Sequence, residues 1–172
     1  IFGIGLHTYI AFRLAPAIPI VILAALMITK KSFLKEYWKF VMVFLVSFLI
    51  TASPMLIDFW KHPDHFSSRT GAVSIFSPEI NKGHPIKLFV KTLGLSLAKY
   101  NFWGDQNWRH NYPPYPILQP AVGVSFLIGF LYLIVKTIEL LFLRFRDKIR
   151  DEKLYIYIFL LSWFFVMLAP EF

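Results

Sequence analysis

The chain contains no cysteine, and acidic residues are scarce, with 10 Asp and Glu against 18 Lys and Arg in 172 residues. The lack of cysteine excludes disulfide frameworks, thiolate metal sites and cysteine nucleophiles within this sequence. Charged residues make up only 16% of the chain, whereas 57% of its residues are hydrophobic and 19% are aromatic. Together with a mean hydropathy of +0.58, this composition excludes an ordinary soluble domain and predicts an integral membrane protein.

The sequence also lacks the short motifs of nucleotide and nucleic-acid binding. The net charge is +8, but the basic residues are scattered between apolar segments and no RNA- or DNA-binding motif accompanies them. No phosphate-binding glycine loop or nucleophile elbow occurs in a usable context. We therefore expect membrane lipid, and no nucleic acid, as a partner.

Four apolar runs predict membrane-spanning helices, since about 20 helical residues cross a bilayer. They lie at about 9–29, 37–57, 121–143 and 154–168. Pro16 and Pro19 fall within the first run, so we expect its helix to extend back past Arg13 with a proline kink. The predicted fold class is all-α integral membrane, in one polytopic domain. Because the chain begins at Ile1 and ends directly after an apolar run, we expect it to be a fragment of a longer protein.

Two short basic segments set the predicted orientation. KKSFLKEYWK separates the first two runs and RFRDKIRDEK separates the last two, and the positive-inside rule assigns both to the cytoplasm. The long loop at 58–120 is then extracytoplasmic. Within it, residues 85–102 form one apolar and one lysine-bearing arc when wound as a helix, which predicts a helix lying on the membrane surface.

Arg13 is the first candidate site residue, because a guanidinium near the hydrocarbon boundary needs a counter-charge or a water-filled cavity. Tyr9 lies four residues earlier and His7 lies just outside the apolar run. Together they can present donors to the phosphate of an anionic lipid, which arginine binds through a bidentate fork. The alternative is that Arg13 reaches the interface or pairs with an acidic group from another helix.

The loop carries a second candidate, the segment NFWGDQNWRHN at 101–111. Amide and carboxylate groups between aromatic rings suit sugar hydroxyls and ring faces, while arginine and histidine suit phosphate. The candidate binding residues are Asp105, Asn107, Arg109 and His110. An interfacial belt of aromatic residues with polar neighbours is an equal alternative.

Two further groups in the loop are weaker candidates. The His62–His65 segment HPDH offers two imidazoles and a carboxylate, but in an irregular loop these are weak evidence for a metal site. We therefore assign no metal ligands, and any need for a divalent metal stays open. Arg69 is a loop cation without a partner nearby in sequence, so it is either a solvated surface residue or part of a binding site.

Four segments resemble a known family. GIGLHTYIAFRLAP, HPDHFSSRTGAVSIF, NFWGDQNWRHNYPPYPILQPAVGVSFLIGF and WFFVMLAPEF are similar, in order and spacing, to the middle portion of bacterial and archaeal proteins akin to dolichyl-phosphate-mannose-protein mannosyltransferases. These belong to the C-type membrane glycosyltransferase superfamily. His7 departs from this pattern, since a tyrosine is expected there.

The resemblance implies transfer of a sugar from a polyprenyl-phosphate donor to a protein, glycan or lipid acceptor outside the cytoplasm of a prokaryotic cell. In that family a carboxylate of the first extracytoplasmic loop activates the acceptor, so we expect the catalytic residue upstream of Ile1. Arg13, with Tyr9 beside it, then matches a lipid-phosphate contact, and the segment from Asp105 to His110 shapes the mouth of the cavity.

Two other functions stay open at this point. An intramembrane arginine beside prolines also fits a transporter or flippase for a lipid-linked or anionic substrate, although the two halves of the chain show no inverted repeat. A non-catalytic membrane scaffold is the third possibility.

Overall fold

A computed structural model of the chain describes residues 1–8, 10–65, 75, 77–106, 112–146 and 151–171. All regular structure in these ranges is helical, which confirms the predicted all-α membrane class. The α-helices are α1 (Phe2–Gly5), α2 (Ala17–Thr29), α3 (Phe33–Lys61), α4 (Pro78–Asn81), α5 (Pro85–Asn101), α6 (Pro120–Arg146) and α7 (Lys153–Leu168), and 3-10 helices cover Ile10–Leu14 and Ala169–Glu171.

Three of the described segments are long and apolar enough to cross a membrane, namely Phe12–Thr29, α3 and α6. Few of their side chains are buried, and large apolar residues such as Phe40 and Ile50 are exposed, as expected for surfaces that face lipid. The 29 residues of α3 extend over about 44 Å, more than the roughly 30 Å of a hydrocarbon core. Its ends therefore project beyond the apolar part at 37–57.

The fourth predicted span corresponds to α7, an apolar helix of 16 residues. At 1.5 Å per residue, α7 is about 24 Å long, which is shorter than a full crossing of the hydrocarbon core. The structure therefore supports an apolar helix at this position, and a complete fourth crossing stays a prediction.

The first span is not one continuous α-helix. Residues Ile10–Leu14 form a 3-10 helix, and α2 begins only at Ala17, after Pro16. Proline has no backbone N–H and disfavours helical geometry in the residue before it, and the N–H of Ala15 bonds the carbonyl of Phe12 instead, at 3.0 Å. The expectation of a kinked α-helix extending back past Arg13 is therefore wrong, because Arg13 lies in the 3-10 helix.

The described residues fall into two compact units, of which the first comprises 1–70 and 137–170. In this unit α1 packs on α3, while α2 and the 3-10 helix before it pack on α7. The hydroxyls of Thr29 and Tyr155 are 2.9 Å apart and join the end of α2 to the start of α7. Arg144 donates a hydrogen bond to the carbonyl of Thr29, which satisfies one of the carbonyls that a helix end leaves open.

The second unit comprises 71–136 and 171–172. Its helix α5 agrees with the predicted surface helix at 85–102, and a returning segment closes its carboxyl end. The N–H groups of Ile117 and Leu118 bond the carbonyls of Lys99 and Tyr100 at 2.9 and 3.0 Å, so these open helix-end carbonyls are satisfied by backbone donors. This return places the beginning of α6 beside the end of α5.

Candidate functional site

His7 contacts α3 close to Pro54, which lies inside this helix. Pro54 has no N–H to give to the carbonyl of Ile50, and the hydroxyl of Ser53 donates to that carbonyl instead, at 2.8 Å. One residue further on, Nε2 of His7 lies 3.0 Å from the carbonyl oxygen of Thr51. A carbonyl only accepts hydrogen bonds, so Nε2 is the protonated nitrogen. The proline thus leaves the carbonyl of Ile50 without its helical donor, and the hydroxyl of Ser53 takes that place.

Arg13 is half-buried on the 3-10 helix, and its guanidinium carbon lies 4.6 Å from the centre of the Phe59 ring. This is a cation–π arrangement. Phe59 belongs to the last turns of α3, beyond the apolar part that ends at Ile57. The structure therefore places Arg13 beside the end of the apolar part of α3, with an aromatic face beneath its planar group.

Asp105 is half-buried at the base of the polar aromatic loop. The two sides of this loop meet where the N–H of Gly104 bonds the carbonyl of Pro114, at 3.2 Å. The side-chain amide of Gln106 donates to the carbonyl of Gly104 at 3.2 Å. On the returning side, the rings of Tyr112 and Tyr115 stack with centres 5.8 Å apart. The loop is therefore closed at its base and presents aromatic rings there.

Not every predicted site residue can be compared with the structure. Tyr9, Arg69, Asn107, Arg109 and His110 lie outside the described residues. Of the others, His7 and Arg13 belong to the first unit and Asp105 to the second. The roles proposed for these eight residues stay predictions.

A group of possible metal ligands at the end of α3 includes a residue that the sequence reasoning had passed over. Nδ1 of His62 lies 3.3 Å and Nδ1 of His65 lies 3.0 Å from the two oxygens of the Asp58 carboxylate. The carboxylate that completes the group is thus Asp58, and not Asp64 between the two histidines. The signal was the spacing of Asp58 and His62, four residues apart, which places both on one side once α3 continues past Ile57. His65 reaches the same carboxylate from the turn after the helix.

Two charged groups outside the apolar segments have shifted pKa values. The hydrogen bond from His65, followed by the one from His62, lowers the pKa of the Asp58 carboxyl below its usual value. In the turn between α2 and α3, the hydrogen bond to Glu36, at 2.5 Å, raises the pKa of Lys30 above its usual value. The Asp58 carboxylate is therefore held in its charged form by neighbouring donors, and the Lys30 ammonium in its charged form by a neighbouring acceptor.

In comparisons with known proteins, no family model, no curated protein and no solved structure matches the chain. The resemblance to C-type glycosyltransferases therefore rests on the four sequence segments and stays a prediction. In the first unit the geometry adds a planar cation close to the end of an apolar helix. In the second it adds the backbone contact of Gly104 with Pro114 beside the stacked rings of Tyr112 and Tyr115.

Proposed function

We propose that the chain is part of a membrane glycosyltransferase that moves a sugar from a polyprenyl-phosphate-linked donor to an extracytoplasmic acceptor. The observation that carries the proposal is the position of Arg13. A lipid phosphate lies where the hydrocarbon of the bilayer ends, and the guanidinium of Arg13 lies at the end of the apolar part of α3, over Phe59. Arginine is suited to phosphate because its planar fork can bind two oxygens at once.

The chemistry we propose for this arrangement is stabilisation of the departing lipid phosphate. As the bond between the sugar and the phosphate breaks, negative charge develops on the phosphate oxygens. A cation already in position stabilises this charge more than it stabilises the intact donor, which lowers the barrier. In this proposal a carboxylate activates the acceptor as general base.

The orientation we propose places the ends of α2 and α6 at the cytoplasmic face of a prokaryotic plasma membrane. Support comes from a pocket of about 420 Å³ in the first unit, which Lys30, Lys31 and Arg144 line together. Two basic segments that are far apart in sequence therefore meet at one end of this unit. A concentration of lysine and arginine at one membrane face is what the positive-inside rule describes.

Cysteine labelling tests this orientation directly, since the chain has no cysteine of its own. Lys82 and Lys31 are both exposed and lie in the turn after α4 and in the turn between α2 and α3. We expect Lys82→Cys to react with a membrane-impermeant maleimide in intact cells and Lys31→Cys to react only after permeabilisation. The opposite labelling pattern would invert the topology and contradict an extracytoplasmic site.

The function itself is tested with the full-length protein reconstituted in liposomes. With a polyprenyl-phosphate hexose as donor, we expect release of the polyprenyl phosphate together with appearance of the sugar on an acceptor. Movement of intact donor across the bilayer without cleavage would show a flippase instead. If the donor is neither cleaved nor moved, a scaffold is favoured. Either the flippase result or the scaffold result would overturn the transferase proposal.

A further inference from the structure

We propose that Asp58, His62 and His65 form a binding site for a divalent transition-metal ion of the zinc class. The proposal is independent of the sugar-transfer function. It starts from the end of α3, where Asp58 lies in the last turn and His62, four residues later, caps the helix with non-helical backbone angles of φ −132° and ψ 77°. In the turn that follows, the N–H of His65 bonds the carbonyl of His62 at 3.0 Å. This turn brings the third side chain to the same carboxylate as the second.

The distances between the ligand atoms suit one small ion. Zinc bonds to nitrogen and oxygen ligands are about 2.0–2.2 Å long, so two ligands in a tetrahedral site lie about 3.3–3.6 Å apart. The two Nδ1 to carboxylate distances are 3.3 and 3.0 Å, and all the ligand atoms of the group lie within 4.8 Å of one another. The spacing of the ligand atoms is therefore compatible with one ion bound between them.

The rings of His62 and His65 are oriented so that both can bind the same ion. Their centres are 4.9 Å apart and their planes are inclined by only 27°, so both rings present Nδ1 to the same carboxylate. Each Nδ1–H donates to one oxygen of Asp58 in this arrangement. An ion entering between them takes the place of the proton at each Nδ1. In a neutral ring that proton is given up to solvent while Nε2 takes one up, and an imidazolium releases one proton on binding.

The ligand types select the class of metal. Two imidazoles and one carboxylate favour zinc and its neighbours among the transition metals, whereas calcium and magnesium prefer sites made of oxygen alone. Three protein ligands leave a fourth tetrahedral position open for water or an anionic oxygen. The side chains of Asp58, His62 and His65 are 42%, 56% and 58% exposed, so the ion can be reached from solvent.

The test uses the full-length protein in detergent, stripped with a chelator and titrated with Zn²⁺ alone in a calorimeter. We expect one Zn²⁺ per chain to bind at this site. Asp58→Asn, His62→Gln and His65→Gln should each weaken its binding by more than about 100-fold, because loss of a mere outer-shell partner already costs about 10–100-fold. Stripped protein loaded with Co²⁺ should show visible ligand-field absorption that the three variants lose.

Asp64→Asn and His84→Gln are the matched controls. Asp64 lies between the two histidines in sequence but is not part of the group, and His84 is an exposed histidine at the start of α5. Both variants should bind Zn²⁺ like the wild type. Thermal unfolding in the presence of chelator establishes that each variant is folded. The proposal would be overturned if the wild type does not bind Zn²⁺ at this site, or if folded ligand variants keep full affinity for Zn²⁺. It would also be overturned if Asp58→Asn and Asp64→Asn lose affinity equally.

Discussion

Replacement of Gly3 by leucine is expected to detach α1 from α3. A Cβ atom at Gly3 would overlap the hydroxyl of Thr51 and would lie 2.8 Å from the carbonyl oxygen of Phe48. Part of this obstacle is the backbone of α3, which cannot rotate away as the end of a long side chain can. Overpacking of this kind costs about 1–3 kcal/mol or more, so we expect the detached state to become about 100-fold more populated.

A buried cysteine reports the detachment. Leu6, directly after α1, is only 8% exposed, and the chain has no other cysteine to interfere. In the background of Leu6→Cys, Gly3→Leu should raise the rate of maleimide modification in detergent by about 100-fold, in line with an opening free energy lowered by about 3 kcal/mol. His7 would lose its contact with the Thr51 carbonyl in the same event, since it follows α1 in the chain.

Two further variants separate this clash from a general effect of bulk. A Cβ atom at Gly129, on α6, meets nothing within 4 Å, so Gly129→Leu should leave the reactivity of Leu6→Cys unchanged. Thr51→Ala removes the hydroxyl that a Cβ atom at Gly3 would overlap, but the Phe48 carbonyl stays in place. In the double variant Gly3→Ala and Thr51→Ala, the effects of the two substitutions on the reactivity of Leu6→Cys should therefore be less than additive, with partial rescue of the packing. Equal effects of Gly3→Leu and Gly129→Leu would contradict close packing of α1 on α3.

The helices were predictable from the sequence to the extent that hydropathy and amphipathic spacing determine them. Residues 85–102 were predicted as a helix from apolar positions on one arc, and α5 covers Pro85–Asn101. The end of α3 was placed at Ile57 because the apolar residues stop there, yet the helix continues to Lys61. Hydropathy indicates the part of a helix that lies in lipid, and backbone hydrogen bonds continue beyond it.

The candidate site was less predictable, because its contacts join residues far apart in sequence. Nothing local indicates that His7 bonds the carbonyl of Thr51, because this contact accompanies the close approach of α1 to α3. The prolines near Arg13 are compatible either with a kinked α-helix or with a break between two helices. The structure has the break, and the 3-10 helix before it packs on α7, a contact that the local sequence does not indicate. Asp58 was overlooked because the end predicted for α3, at Ile57, left both Asp58 and His62 in an irregular loop, where residues four apart need not lie on one face.

Replacement of Arg13 by alanine is expected to reduce transfer from a polyprenyl-phosphate sugar by about 100-fold or more. Removal of one group that stabilises charge in a transition state typically costs about 10²–10³ in kcat. If Arg13 contacts the departing phosphate, kcat and kcat/KM for the donor should fall together. Arg13→Lys should retain part of the activity, because lysine keeps the charge but lacks the planar fork.

Two controls distinguish a phosphate contact from a structural role for Arg13. Arg146 also lies over an aromatic ring, with its guanidinium carbon 5.5 Å from the centre of Phe142, so Arg146→Ala removes a similar cation–π pair at another position and should change transfer only a few-fold.

Phe59→Leu removes the ring beneath Arg13 while keeping the charge of Arg13, and a lost cation–π contact costs about 0.5–2 kcal/mol. It should therefore reduce transfer less than Arg13→Ala does. Wild-type transfer by folded Arg13→Ala would show that the guanidinium is not needed at the phosphate, and a rise in KM without a fall in kcat would assign Arg13 to donor binding alone.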